Sequence, residues 1–364
     1  MKEKAYWYWL CHIKILGAAR IRRLLTVFGT PEAVFRARLP ELLARSGLSE
    51  AEARAIEKAK EEWGRCEQEW AGLAEKGIHM ITCQDSDFLE RLEVIPNPPA
   101  CLFVKGEIPQ DSVPSVAIVG ARAATGYGVG MAEELAGELS RAGCWIISGL
   151  AHGIDRYAHK GAVGAGGRTC GVLGCGVDIC YPKENYLLYE EILAKSGSVL
   201  SEFLPGTPPL PMHFPIRNRL ISGLADVVLV VEARKRSGSL ITAAIALEQG
   251  KDVFALPGRI SDPLSRGCLE LIRDGAQVLM DVQDIFEILS LPFKQSLNKS
   301  ENMKLPLAEE EKLVYSAIAR LPKHLDEILR EVELPGAKIF DILLSLELDG
   351  WIRQTEKNYY TRAR

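Results

Sequence analysis

Nine cysteines are spread over the 364 residues, yet none stands in a Cys-x-x-Cys pair, which argues against zinc ribbons and dithiol redox motifs. They read as small buried thiols. A His-Glu-x-x-His pattern is also missing; His152 and His159 stand seven apart, and neither a metal nor a cofactor is expected. No apolar run approaches the ~18 residues of a membrane span. The charged residues Lys2, Glu3 and Lys4 precede Tyr6-Trp7-Tyr8-Trp9-Leu10, a start without the apolar core and small-residue cleavage site of a secretory leader. The expectation is a cytoplasmic protein with no membrane partner. Net charge is small as well: 44 Lys and Arg against 48 Asp and Glu give −4, so a polyanionic partner would need a local basic patch.

Such patches exist. Residues 1–70 hold 13 basic against 10 acidic residues and residues 205–260 hold 7 against 4, whereas residues 305–364 hold 9 against 11. With 47% hydrophobic residues burial is not limiting, and the length suits a large domain with one or two smaller ones. Residues 1–72 read as a small helical domain, from the spacing of Ile21, Leu24, Leu25 and Phe28. Within it, Ile15–Arg20 with Arg22 and Arg23 looks like a helix-hairpin-helix turn opened by Gly17. That motif is short, and packing is its favoured role.

Over 78–290 short apolar runs alternate with Gly-rich turns and helical stretches, the pattern of a parallel sheet buried on both faces. Strands are predicted at His79–Thr82, Leu102–Val104, Val116–Val119, Trp145–Ser148, Thr169–Leu173, Val199–Ser201, Val227–Val231, Val253–Leu256 and Gln277–Met280. This makes an α/β, doubly wound sheet whose binding crevice lies at the carboxyl ends of its strands. Residues 291–308 lose periodicity and gain Pro and polar residues, as a linker does. Residues 309–364 have the order of a winged helix: helical runs near 310–320, 324–332 and 336–349, then a hairpin through 351–354 and 359–361. Its expected recognition helix offers Lys338 but also Asp341, Glu347 and Asp349, which favours docking to another protein or subunit over reading DNA.

Four segments carry chemistry. Gly120-Ala121-Arg122 closes a buried strand and Gly126-Tyr127-Gly128 opens a helix, so N–H groups and a guanidinium are expected to converge on an anion. The glycine spacing is not that of a dinucleotide fingerprint. Ser148 and Gly149 are expected to form a backbone anion nest, with Gly153 turning the chain and Asp155 capping the next helix; the nearby Ser, His and Asp do not read as a triad. In Phe214-Pro215-Ile216-Arg217-Asn218-Arg219, two arginines suit phosphates, Asn218 a base edge and Phe214 base stacking. Ser237-Gly238-Ser239 opens a further helix able to hold a phosphate, and Arg234, Lys235 and Arg236 before it raise the local potential.

In this order and spacing, Gly120–Gly128, Ser148–Asp155, Gly174–Pro182 with Asn185, Ser201-Glu202, Phe214–Leu224, Ser237–Ala243 and Pro257-Gly258 closely resemble the DNA-processing protein A (DprA, or Smf) family. The resemblance covers most of 78–280. It implies an extended Rossmann-like fold with an N-terminal SAM-like helical domain and a C-terminal winged helix. It also implies a homodimer that binds single-stranded DNA without hydrolysing it and helps load a RecA-type recombinase in natural transformation. By the same resemblance Arg122, Phe214, Arg217 and Asn218 line the DNA pocket. Two positions depart from the family pattern: Ala121 stands where Ser is frequent and Leu269 where Asn is usual. The competing class is a nucleotide-processing hydrolase of the lysine-decarboxylase-like type, but Pro257-Gly258-Arg259-Ile260 breaks its Pro-Gly-Gly-x-Gly-Thr signature. A pure interaction scaffold would leave the anion-binding turns unexplained.

Overall fold

The computed structural model describes residues 2–195, 197–291, 307–318 and 322–362. Two compact units emerge, Met1–Phe293 and Lys294–Arg364; most of the expected linker, 292–306, lies outside the described residues.

Six α-helices open the first unit, from Lys2–His12 to Trp63–Ala71. Local signals set their ends: the Thr30 side chain accepts the N–H of Ala33 ahead of Pro31–Arg36, and Ser49 and Glu52 cap Glu50–Ala59 reciprocally. Trp7, Trp9, Leu10, Leu24 and Ile56 are buried in one cluster with Phe103, Leu173 and Val199 of the following sheet. The helical layer and the sheet therefore share a continuous core. Arg20 pairs with Glu52 and Arg22 with Glu93 and the Pro99 carbonyl, so these two cations of the Gly17 turn act as internal struts.

The sheet has nine strands: β1 His79–Thr82, β2 Cys101–Gly106, β3 Ser115–Val119, β4 Trp145–Ser148, β5 Thr169–Val172, β6 Ser198–Ser201, β7 Val227–Val230, β8 Asp252–Ala255 and β9 Gln277–Val278. Their spatial order is β1-β2-β6-β5-β4-β3-β7-β8-β9. Every predicted strand is present, and β3 to β9 run parallel to one another. The doubly wound parallel sheet carries an antiparallel edge: β2 pairs antiparallel with both β6 and β1. The connection from β1 to β2, residues 83–100, holds a single four-residue helix, Glu90–Glu93.

Side chains alternate along the central strands. Val116 and Ile118 pack with the helices Gly126–Arg141 and Ile154–Gly164, whereas Ala117 and Val119 pack with His213–Leu224, Gly238–Glu248 and Arg266–Arg273. With both faces covered, β7 reads Val-Val-Leu-Val and is buried throughout. The chain moves outward from β3 to β6 and then returns to place β7 beside β3. This reversal opens a crevice beyond the carboxyl ends of β3 and β7.

The second unit packs the helices Glu309–Ala317, Leu325–Glu331 and Gly336–Leu348 around Val314, Ile328, Ile339, Leu343 and Leu346. A three-stranded antiparallel sheet completes it, ordered β10 Lys323–His324, β12 Tyr359–Arg362, β11 Ile352–Glu356. The hairpin forms as expected, turning through Asn358 at φ 66°, a left-handed conformation Asn tolerates. The two-residue β10 has no sequence signal of its own. Among the described residues no helix is long and apolar enough to cross a membrane.

Candidate nucleic-acid interface

The crevice at the β3/β7 reversal has a volume of about 590 Å³. Of the ten residues expected to contact a ligand, Arg122, Phe214, Arg217, Asn218, Ser237, Gly238 and Ser239 line it. Ser148, Gly149 and Arg219 do not.

Phe214 stands in the first turn of the helix His213–Leu224 and is half-buried. Its ring has the Arg122 guanidinium 5.7 Å from its centroid and that of Arg217 at 5.8 Å, within the range where a cation is drawn to an aromatic face. Tyr181, 42% exposed, lies 5.7 Å from Phe214 at 37° between ring planes. Tyr181 is not among the residues expected from the sequence; its place in the Gly174–Pro182 segment is the signal that could have found it.

Arg122 is exposed, but Arg217 is buried. Nη1 of Arg217 donates to the carbonyls of Gly149, at 3.0 Å, and Val172, and its Nε donates to Oδ1 of Asn218 at 3.3 Å. Burial pushes its pKa down to about 10 against the opposing pull of Asp155, so it stays charged at neutral pH. Burial likewise raises the Asp155 carboxyl above its usual range, while Arg217 and backbone N–H groups act the other way.

Gly149 separates these two charges. A Cβ there would stand 2.7 Å from both Arg217 Nη2 and Asp155 Oδ2. The anion-nest expectation for Ser148 and Gly149 is therefore corrected: the Gly149 N–H donates to Asp155 at 3.0 Å, and the fully buried Ser148 hydroxyl donates to the Ile118 carbonyl at 2.6 Å. Gly153, not Asp155, is the N-cap of the following helix, with Asp155 in its first turn. These groups form the floor that fixes Arg217.

Arg219 is corrected too. It is buried, and its Nη2 donates to both carboxylate oxygens of Glu202, at 2.8 and 2.6 Å. On a helix, positions 217 and 219 are roughly 200° apart, so a single crevice cannot receive both.

The helix starting at Gly126 has its seat filled from within. Glu232, buried just past β7, accepts from the Thr125 N–H at 2.9 Å and from its hydroxyl. A Cβ on Gly128 would meet this carboxylate at 2.4 Å, so the glycine makes room for Glu232, not for a ligand phosphate. The helix Gly238–Glu248 differs: Ser237 caps it, the hydroxyls of Ser237 and Ser239 are 2.8 Å apart, and its first turn faces the crevice. Arg234 and Arg236 line the same wall, while Lys235 points to Glu270 at 3.4 Å. Cations, a helix N-terminus and a flat ring thus converge on one cleft, a combination suited to a phosphodiester carrying an unstacked base.

Comparison with known proteins gives the same direction. The family model described as DNA recombination-mediator protein A matches residues 79–290, and the DprA winged helix domain matches 299–356. The chain is 44% identical to DNA processing protein DprA of Bacillus subtilis over 220 residues, 60% of this chain and 74% of that one. Protein Smf of Synechocystis is 32% identical over 99% of both chains. The X-ray structure of DNA processing protein A from Streptococcus pneumoniae superposes with a TM-score of 0.60 at 37% identity, covering 71% of this chain and 88% of that one. A structure of the Helicobacter pylori protein, described for its single-stranded DNA binding mode, gives 0.53 at 31% identity, covering 58% and 96%.

Proposed function

Because the chain belongs to the DNA recombination-mediator protein A family, we propose that its crevice holds single-stranded DNA and that it acts by binding, with no chemical step. The observation that carries this reading is the Phe214 ring with the guanidinium groups of Arg122 and Arg217 at 5.7 and 5.8 Å from its centroid, at the sheet's reversal point. The arginines neutralise phosphates, Phe214 and Tyr181 stack bases, Asn218 meets a base edge or the backbone, and Ser237–Ser239 receive a phosphate at the helix N-terminus. Stacking of this kind is worth about 1–3 kcal/mol per base and tolerates any sequence. A duplex, whose bases are already stacked on one another, gains none of it.

On this reading the protein is a cytoplasmic homodimer that joins two such crevices, protects single strands and hands them to a RecA-type recombinase during DNA uptake. The competing reading, a nucleotide-processing hydrolase, has among the described residues one carboxyl lining the crevice to draw on, Asp155. That carboxyl is engaged by the Gly149 N–H and faced by Arg217, which leaves it poorly placed to assist cleavage.

The test is fluorescence anisotropy of labelled oligo-dT and a matched duplex over a range of salt concentrations. Salt-sensitive binding that favours the single strand and weakens on Arg122→Ala is the expected result. No binding at any salt would overturn the proposal and direct attention to nucleotide cleavage.

A further inference from the structure

The helix Gly336–Leu348 occupies the place where a winged helix presents its recognition surface. Ile339, Ile342, Leu343 and Leu346 form its buried side. The opposite side is also apolar: Phe340 is 50% exposed, Leu344 59% and Leu348 79%. At 3.6 residues per turn these three and Ala337 fall within an arc of roughly 80°. Asp341 borders that arc on one side and Glu347 on the other. Lys338 lies farther round and is tied to Glu310. The Oε1 of Glu347 accepts the Gln354 N–H at 3.1 Å, which fixes one acidic border in place.

An exposed apolar stripe of this regularity is the counterpart of an amphipathic helix's own apolar face. The two borders choose the occupant. If a second copy supplied the same stripe, each acidic border would meet an acidic border in either orientation, parallel or antiparallel. Nucleic acid would face carboxylates and side chains that offer its phosphates nothing. A helix with apolar residues on one face and Lys or Arg on its flanks satisfies both the stripe and its borders, as complementary flanking charges do in paired helices.

We propose that the Phe340–Leu344–Leu348 stripe docks a basic amphipathic helix of another protein. This does not depend on what the crevice of the larger unit binds. The experiment titrates the full chain into two labelled helical peptides of the same Leu pattern, one with Lys and one with Glu at every flanking position. The larger unit's crevice is itself basic, so the readout is the binding removed by Leu344→Ser. The Lys peptide should bind and weaken at least tenfold on Leu344→Ser and again on Asp341→Lys, with the melting temperature unchanged, since both positions are exposed. The proposal is overturned if the Lys peptide does not bind or if Leu344→Ser leaves its binding intact. It is equally overturned if Leu344→Ser removes binding of both peptides alike. A drop in the native mass of the chain on Leu344→Ser would assign the stripe to a second copy instead, and lost duplex affinity would assign it to DNA.

Discussion

The sheet's crevice, the proposed strand site, and the winged-helix face, where that fold presents its recognition helix, have side chains that could hardly differ more. In the crevice, Arg122 and Arg217 both lie near the Phe214 ring and Arg217 is held by carbonyl oxygens. On the winged helix, Lys338 is matched to Glu310 and the exposed side chains are Phe, Leu and Asp. A fold offers a location, and unmatched charge beside a flat apolar surface decides whether DNA is what fits there.

Four changes would sharpen or break that contrast. The largest effect is expected from Arg217→Ala, which leaves the Gly149 and Val172 carbonyls without their donor and Asp155 without its cation. Loss of about 3 kcal/mol of stability, read by urea denaturation, should accompany lost single-strand affinity. Unchanged stability would mean that Arg217 is not the fixed floor described above.

Next is acidification. Burial pushes the His159 imidazole down to about 3, against an unfolded value near 6.5. The folded chain therefore refuses a proton that the unfolded chain accepts between those two values. Stability should fall as pH drops from about 6.5 towards 3, by at most about 1.4 kcal/mol per pH unit. The difference between wild type and His159→Asn, measured by thermal melting, isolates this contribution from Asp155, whose raised pKa acts in the opposite sense. The loss should appear in the larger unit.

Phe214→Ala should weaken single-strand binding by about 1–3 kcal/mol, about fivefold to 150-fold, with less effect on duplex. Equal losses for both would remove stacking from the account. The smallest expectation is for Lys338→Ala, within about 0.3 kcal/mol of wild type in DNA affinity, because its charge is already matched at the surface. A marked loss would collapse the distinction between the two regions.

Much of this was legible in the residues. All nine strands of the large sheet follow from short apolar runs set between Gly-rich turns and helical stretches, and the crevice from the turns expected at their carboxyl ends. What stayed hidden depends on partners far away in sequence. Glu232 fills the seat at Gly126 from 107 positions beyond Thr125, and Glu202 claims Arg219 from a different strand end. Ser148 and Gly149 looked like ligand donors because their local pattern is right, yet the sheet turns both donors inward. The antiparallel edge was missed because the character of a strand does not report its direction.

Arg217 gives the cleft a further property. An exposed arginine, such as Arg234 or Arg236, must give up its rotamer freedom when it grips a phosphate, a cost of about 0.5–1.5 kcal/mol. Arg217 has already given up that freedom during folding. On the proposed function, a strand arriving in the cleft meets a charge whose position is settled, and the entropy of ordering that side chain is charged to folding, not to binding.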